Sequence, residues 1–494
     1  MKKFKKALAL LLSMLILLTV SPISAFAEET TPEAEWFTSY NVKKGEGTLA
    51  EAVQLVGNGG RIDLLKDIPE LGATAVLNKN VTINGNGYTI TRGATFGGAM
   101  FIVGNGAKIN VTKIILDGNA DNVPGYANSV FVVTDGYLTL EDGAVIRKNN
   151  AGSNNGGAIR AGSSIAGIAN PCVITMNAGS KLADCSADNG GAVYLGSGAE
   201  FILNDGAIKN CNAGYHGGAV IVDDTTASFV MNGGSITGCS CSTKASGYVG
   251  SAVYANKGTT AIKAGSITDN ANGSDFGAVY VSVSADVSIG GTAYIYGNDG
   301  TANQSNIFVD DNAVIAVNPA FAEGAKIGVS RSQLMQEGDT VDMSFISSAE
   351  DVMGYLFNDY DGSTFYTADG AVTLIQCIKV TFNPGNGSCP VGEKIYGVNM
   401  AFGELPECDY RDGFDFLGWY TEDDVLVTKT TVVSGNEDIT LYAKWENLNK
   451  LDDSPFSFIG RFFERIGELM RSVFEFLQNL FAGTGNDELE KIEK

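Results

Sequence analysis

Histidine and basic residues are scarce in this chain. Its 494 residues include one histidine, His216, and 33 lysines and arginines against 56 aspartates and glutamates, for a formal net charge of −23. One histidine cannot build a histidine-rich metal site, and we interpret His216, which precedes two glycines, as a turn residue. The negative charge disfavours nucleic acid, anionic lipid and polyanionic substrates as electrostatic partners.

Charged side chains that could form a catalytic cluster are also few between Asn149 and Asn298. The acidic pairs at 223–224 and 310–311 would point to opposite faces if they lay on strands, so neither is by itself an acid/base pair. We interpret them as solvated turn residues. The sequence therefore predicts no catalytic residue, no cofactor and no metal site.

Glycine, by contrast, is abundant, with 62 residues, and it recurs periodically. Two Gly-Gly-Ala-Val segments, 190–193 and 217–220, lie 27 positions apart, and Cys185 and Cys211 before them lie 26 apart. The apolar runs between these landmarks are too short for helices and are bounded by turn residues. Three short strands and three turns can close one coil, so the repeat predicts a parallel β-helix with one rung per unit.

Two columns of residues keep this period. The alanine of the Gly-Gly-Ala segment recurs at Ala99, Ala158, Ala192, Ala219, Ala252 and Ala278. A second column, called the ladder below, consists of Asn149, Cys185, Cys211, Cys239, Asn270 and Asn298. Stacked asparagines can hydrogen-bond from rung to rung, and a small buried cysteine can fill the same place. Consecutive ladder cysteines have the spacing for a disulfide but parallel Cβ directions, so free thiols are favoured over a bond.

These repeats resemble the GGA(I/V) and Asn-ending repeats of polymorphic outer-membrane proteins and other pectin-lyase-like surface proteins, over about residues 40–376. The resemblance implies a mainly β protein built on a right-handed parallel β-helix. A short amphipathic helix over 48–56, followed by Val-Thr-Ile-Asn-Gly-Asn-Gly at 81–87, is similar to the amino-terminal cap and first rung of that fold. Such a helix would cover the open end of the hydrophobic core.

Residues 1–27 predict a signal peptide. Four lysines precede an apolar run over 7–18, and Ala25-Phe26-Ala27 supplies a small-x-small cleavage site, so we expect cleavage after Ala27. The apolar run is short for a membrane span. Residues 28–39 are interpreted as a linker.

Residues 378–446 form a separate module with several motifs in order. These are Lys379-Val-Thr-Phe382, Asn383-Pro-Gly-Asn-Gly387, Gly403-Glu-Leu-Pro406, Phe416-Leu-Gly-Trp-Tyr420 and Ile439-Thr-Leu-Tyr-Ala-Lys-Trp445. They resemble the Listeria-Bacteroides repeat, the B repeat of internalin-like surface proteins. The resemblance implies a small β-grasp-like domain of exported proteins, whose aromatic residues are its core. Cys389 and Cys408 flank one piece of the module and are the best disulfide candidate.

The tail, residues 447–494, has a different pattern. Ser454-Pro455 predicts a helix start, and large apolar residues recur at helical spacing from Ile459 to Phe481. A helix over 455–481 carries too many charges to span a membrane. Its apolar stripe predicts contact with a lipid interface, with a second copy or with its own chain.

Together these features predict an exported, non-enzymatic protein, extracellular or on the cell surface. We expect an adhesin-like role, in which the β-helix displays a surface for a glycan or a protein. The alternative is a polysaccharide lyase or glycoside hydrolase, because pectin-lyase-like folds often carry those activities. The alternative requires a groove with three or more converging acidic or basic side chains.

Overall fold

A computed structural model describes residues 31–123, 127–162, 171–242, 249–270, 277–298, 306–331, 346–348, 352–359, 364–368, 371–375, 377–435 and 437–448. The signal peptide with Ala27 and the helix expected over 455–481 lie outside these residues. The described part is mainly β, with one helix, which is too short to cross a membrane. The chain divides into two compact units, one up to Cys377 and one from Ile378.

The first unit begins with β1 (Ala34–Phe37), β2 (Lys43–Gly47), α1 (Leu49–Leu55) and β3 (Gly60–Leu64). β1 pairs antiparallel with both β2 and β3. Residues 34–37, predicted as linker, are therefore a strand, and that prediction is wrong there. The local reason is Trp36, which is buried against Gly45, where a Cβ atom would overlap the indole ring.

The helix predicted over 48–56 spans Leu49–Leu55. Thr48 and Glu51 form a capping box at its amino terminus, in which each side chain accepts from the backbone N–H of the other residue. Lys79 donates to the carbonyls of Gln54 and Val56 at the other end, which are unpaired acceptors in an isolated helix.

The solenoid continues with β4 (Ile68–Leu71), β5 (Ala75–Leu77), β6 (Val81–Asn84), β7 (Thr89–Arg92), β8 (Phe101–Val103), β9 (Ala107–Thr112), β10 (Ile114–Asp117), β11 (Phe131–Val133), β12 (Gly136–Leu140), β13 (Ala144–Arg147), β14 (Ile159–Ala161), β15 (Cys172–Met176), β16 (Lys181–Ala183), β17 (Ser186–Asn189), β18 (Val193–Leu195), β19 (Ala199–Leu203), β20 (Ala207–Lys209), β21 (Asn212–His216), β22 (Val220–Val222), β23 (Ser228–Met231), β24 (Ser235–Thr237), β25 (Ser240–Cys241), β26 (Val253–Ala255), β27 (Gly258–Ile262), β28 (Ser266–Thr268), β29 (Val279–Val281), β30 (Ala285–Gly291), β31 (Tyr294–Ile295), β32 (Ile307–Val309), β33 (Ile315–Phe321), β34 (Lys326–Arg331), β35 (Ile346–Ser347) and β36 (Leu356–Asn358). β37 (Thr364–Ala368) and β38 (Ala371–Ile375) then form an antiparallel hairpin.

Strands from successive turns stack in register into three parallel columns. The first column runs from β3 through β6, β9, β12, β15, β19, β23, β27 and β30 to β33. The second contains β7, β10, β13, β16, β20, β24, β28 and β31, and the third contains β8, β11, β14, β18, β22, β26, β29 and β32. The predicted parallel β-solenoid is confirmed, with about eight turns. Its right-handed, pectin-lyase-like character stays a prediction that this arrangement is compatible with.

The Gly-Gly-Ala segments sit where each coil enters the third column. Gly190 has a φ of 63°, in the left-handed region that favours glycine. At Gly191 an added Cβ atom would lie 2.1 Å from the carbonyl oxygen of Gly218 on the next rung. The first glycine therefore supplies the turn and the second allows close approach of two backbones.

Three rungs in the described part of the solenoid contain a fourth strand that the sequence did not predict. β17, β21 and β25 pair in parallel between the ladder and the paired glycines. Their inward side chains are small, as at Ala187, Ala213 and Cys241, which are all buried. Strands without large alternating apolar residues leave no period-two hydrophobic signal.

The second unit is a five-stranded sheet of β39 (Cys377–Asn383), β40 (Glu393–Gly397), β41 (Phe414–Tyr420), β42 (Leu426–Val427) and β43 (Ile439–Asn447). Its strand order is β40-β39-β43-β41-β42. Phe382, Trp419 and Leu441 are buried in its core, as the sequence predicted. Trp419 also donates from Nε1 to the carbonyl of Pro406 at 2.7 Å, which satisfies its buried polar atom.

Candidate functional site

The ladder lies at the corner after the second column, and its side chains point into the solenoid. Each of its six residues is buried. The residue before each has a positive φ, from 49° to 67° at Lys148, Asp184, Asn210, Gly238 and Asp269 and 73° at Gly297. This left-handed residue turns the chain and aims the next side chain inward. Asparagine, aspartate and glycine tolerate this conformation, and they occupy all of these positions except Lys148.

The asparagine part of the ladder is a chain of hydrogen bonds between rungs. The backbone N–H of Cys239 donates to Oδ1 of Asn270 at 2.9 Å, and that of Asn270 donates to Oδ1 of Asn298 at 3.1 Å. The backbone N–H of Asn298 in turn donates to Oδ1 of Asn306 at 3.1 Å. Asn306 finally donates to Asp359, from its backbone N–H at 2.8 Å.

Asp359 is thus the last member of this chain, and burial raises the pKa of its carboxyl to about 7. The sequence placed Asn306 in a degenerate copy of the Gly-Gly-Ala segment, not in the ladder, and it did not single out Asp359. Asn306 precedes a third-column strand instead of following a second-column strand, and Asp359 lies 53 positions beyond it. Neither position fits the ladder spacing.

The cysteine part of the ladder makes a different set of contacts. The thiols of Cys185 and Cys211 each donate at 3.3 Å to the carbonyl two residues earlier in their own rung. Cys239 does the same at 3.6 Å. All three cysteines are free and buried, and the hydrogen bond with the Cys211 thiol, together with burial, raises the pKa of Cys185 well above its usual value. Such thiols are poor nucleophiles.

At the other end, Asn149 contacts a buried arginine that the sequence analysis did not single out. Arg92 donates from Nη2 to the carbonyl of Asn128 at 2.9 Å and to Oδ1 of Asn149 at 3.1 Å, and Nη1 donates to the carbonyl of Gly98. Burial lowers the pKa of this guanidinium to about 10. Arg92 therefore closes the ladder on the amino-terminal side.

The solvent-facing side of the third column carries a second constellation, which we call the tyrosine–aspartate row: Tyr194, Asp223, Tyr254 and Asn256. Tyr194 donates from its hydroxyl to Oδ2 of Asp223 at 2.9 Å, and Asn256 donates from Nδ2 to Oδ1 of Asp223 at 2.7 Å. All four side chains are half-buried. Burial, followed by the Asp223 charge, raises the pKa of Tyr194 to about 12.

Aromatic rings extend this row along the column. Tyr254 stacks on His216 at 4.6 Å between ring centroids and on Tyr280 at 5.0 Å, and Tyr280 stacks on Phe308 at 5.8 Å. His216 lies at the end of β21, so its interpretation as a turn residue is wrong. Parallel strands bring Tyr254, Tyr280 and Phe308 together because these residues hold equivalent positions on successive rungs of the third column.

The acidic pairs found in the sequence separate in the structure. Asp223 faces the row, whereas Asp224 accepts from the backbone N–H of Thr226 at 2.9 Å and from its hydroxyl at 2.6 Å. Asp311 lies 3.7 Å from Nε of Arg331. In the described ranges no three His, Cys, Asp or Glu side chains are grouped so that they could hold a metal ion.

Cys389 and Cys408 are brought together in the second unit as free thiols. Burial, followed by the charge and hydrogen bond of Cys389, raises the pKa of Cys408 to about 12. Cys389 donates to the carbonyl of Val391 at 3.2 Å. The disulfide between them stays a prediction.

The described chain is thus a parallel β-solenoid protein with a separate small β domain. Residues 379–444, within that domain, match the family model of the Listeria-Bacteroides repeat domain. This repeat is typical of surface or extracellular proteins. No curated protein and no solved structure matches the chain.

Proposed function

We propose that this protein is an exported, non-enzymatic, adhesin-like protein that binds a glycan through the tyrosine–aspartate row. The observation that carries the proposal is the Asp223 carboxylate, held on a partly exposed face by Tyr194 and Asn256. A carboxylate offers about four lone-pair positions, so acceptor capacity remains for the hydroxyls of a sugar. The half-buried rings of Tyr194 and Tyr254 supply apolar surface with a polar hydroxyl at the edge.

The repeated geometry favours an extended ligand. Asp223, Asn256, Ser282 and Asp310 follow the third-column strand on four consecutive rungs, since each backbone N–H donates to the preceding rung at 2.9 to 3.1 Å. Equivalent positions are about 4.8 Å apart along the solenoid. A linear glycan can therefore meet a polar side chain at each step.

The same spacing argues against the lyase or hydrolase alternative at this row. Asp223 and Asp310 are separated by three strand spacings, or about 14 Å. Glycosidase carboxyl pairs lie about 5 to 5.5 Å apart in retaining enzymes and about 6.5 to 9.5 Å apart in inverting enzymes. Asp224 is nearer in sequence but is bonded to Thr226.

The test is a glycan array probed with the labelled mature protein, followed by titration calorimetry on any hit. We expect Asp223→Asn to weaken binding about tenfold, because a charge-assisted hydrogen bond is replaced by a neutral one. Asp224→Asn is the matched control and should bind as the wild type does. Equal loss in both variants, or no hit on the array, would contradict glycan binding by the row. Release of reducing ends from a bound glycan would instead favour the enzymatic alternative.

Retention at the envelope is proposed for residues 455–481, on the strength of their apolar stripe alone. Fractionation of cells that produce the protein with and without residues 447–494 tests this. We expect the truncated protein in the medium. A truncated protein that stays with the cells would exclude the tail as the anchor.

A further inference from the structure

A groove of about 690 Å³ lies at the amino-terminal end of the solenoid. One wall is α1, with Ala50, Val53 and Gln54, and the other is the segment from Ile68 to Val76. Its charged lining residues are Glu33, Glu70 and Lys79. Glu33 accepts from the backbone N–H of Leu49 at 2.9 Å, and Lys79 holds the carboxyl end of α1, so both already serve the helix.

In the described part of this end, β2, β4 and β5 each have one side that pairs with no other strand. In β2 and β4, sequence features protect this side from pairing with another chain. β2 carries Lys43, Lys44 and Glu46, and β4 carries Pro69 and Glu70 with a break in register between Ile68 and Leu71. Charges, prolines and bulges are the usual devices that keep an edge from pairing with another chain. β5, with the sequence Ala-Val-Leu, has none of them.

β5 lines the groove through Ala75 and Val76. Within the described residues β5 pairs only with β8, through Ala75, whose N–H donates to the carbonyl of Met100 at 2.9 Å, and through the carbonyl of Leu77, which accepts from Gly104 at 3.2 Å. Alternate residues of a strand direct their N–H and C=O groups to opposite sides. The N–H and C=O of Val76 therefore point away from β8, and its side chain is 51% exposed.

We infer that this groove binds an extended polypeptide from a partner protein, which adds a strand to the edge of β5 beneath α1. A peptide strand can offer a C=O group to the N–H of Val76 and an N–H group to its C=O. Strand addition of this kind is a common mode of peptide recognition. Val53 and Leu71 would accept small apolar side chains. Because Glu70 is the carboxylate of the groove that is exposed, a basic end residue is favoured over an acidic one.

The probe is a fluorescein-labelled hexapeptide of alternating valine and threonine with an amino-terminal lysine, titrated against the mature full-length protein by fluorescence anisotropy. We expect saturable binding. Val76→Pro, which removes the outward N–H and leaves the bonds of Ala75 and Leu77, should weaken it about five- to tenfold, whereas Val76→Thr should stay within about twofold.

A second probe tests the same hydrogen bonds on the wild-type protein, so the result does not depend on whether Val76→Pro folds. The same peptide with every backbone amide N-methylated has no N–H to donate from either edge, and we expect no binding of it to the wild-type protein. Equal binding of both peptides, unchanged affinity in Val76→Pro, or no binding of the unmodified peptide at millimolar concentration would overturn the inference. Sedimentation would overturn it in favour of self-association if it showed a dimer that Val76→Pro dissociates.

Discussion

Two stretches of the same ladder satisfy their buried polar groups in different ways. The amide oxygens of Asn270 and Asn298 accept from the rung before them, so these side chains connect successive turns, and Asn306 accepts from Asn298 within its own turn. From Cys185 to Cys239, each thiol donates within its own rung. The asparagine stretch connects rungs through amide hydrogen bonds to backbone N–H groups, whereas the cysteine stretch has only weak sulfur hydrogen bonds.

The difference teaches why only one stretch needs a terminal partner. A buried amide chain leaves an unsatisfied group wherever it stops, and such a group costs about 1 to 3 kcal/mol. The asparagine stretch stops at the Asp359 carboxylate. Asn149, which lies beyond the cysteines at the amino-terminal end of the ladder, is bonded to Arg92. A stretch of buried cysteines can end at any rung with little loss of free energy, because a thiol is only weakly polar.

The largest expected effect is at the centre of the asparagine stretch. Asn298→Ala removes the acceptor of the buried backbone N–H of Asn270, whereas Nδ2 of Asn270 keeps the carbonyls of Ile236 and Thr268. One unsatisfied buried donor and the lost side-chain contacts predict a fall of about 2 to 4 kcal/mol in the free energy of unfolding. Urea unfolding followed by circular dichroism measures it. Asn204→Ala is the control, since Asn204 donates to Asn177 at 3.0 Å in an exposed pair and should cost under about 1 kcal/mol. Similar losses in both variants would contradict the importance of burial.

The next effect is the pH dependence that Asp359 gives to the asparagine stretch. Its folded pKa of about 7 lies above the usual ~3.9, so the folded protein binds more protons between these values. The contribution of Asp359 to stability should therefore be fully present below about pH 4 and fall by up to about 1.4 kcal/mol per pH unit as the pH rises towards 7. Asp359→Asn should flatten this dependence in urea unfolding at pH 4.5 to 8. An unchanged slope would show that another group titrates.

A smaller effect is expected in the cysteine stretch. Cys211→Ala removes a buried sulfur and a weak hydrogen bond, which predicts a loss of about 1 to 2 kcal/mol in the same urea assay. Cys408→Ala, at a half-buried position in the other unit, serves as the comparison. A loss as large as that of Asn298→Ala would remove the distinction between the two stretches.

The smallest effect concerns the residue that precedes the ladder. Lys148 has a φ of 49°, a conformation that costs a lysine about 1 to 2 kcal/mol in steric strain. Glycine would remove this strain, but it loses more backbone entropy on folding, which cancels part of the gain. Lys148→Gly should therefore raise the free energy of unfolding by about 0.5 to 1 kcal/mol, while Asn210→Gly should change it by only a few tenths. Destabilisation by Lys148→Gly would indicate that its side chain contributes more than its backbone costs.

The period of the fold could be predicted because the local backbone geometry of each rung requires glycine at the same positions. Gly190 requires a positive φ and Gly191 a missing Cβ, and the same demands return on the neighbouring rungs. The ladder was visible for the same reason. The fourth strand at β17, β21 and β25 was not, since small polar residues give no hydrophobic alternation.

The amino-acid sequence by itself determined the solenoid, its ladder and the Listeria-Bacteroides repeat, because each depends on residue types at fixed short spacings. Only the tertiary structure decided the rest. Arg92 meets Asn149 across 57 positions, and Tyr194 meets Asp223 across 29. Such pairs depend on how many residues each turn inserts and on which side chains share a column, and neither is a local property of the chain.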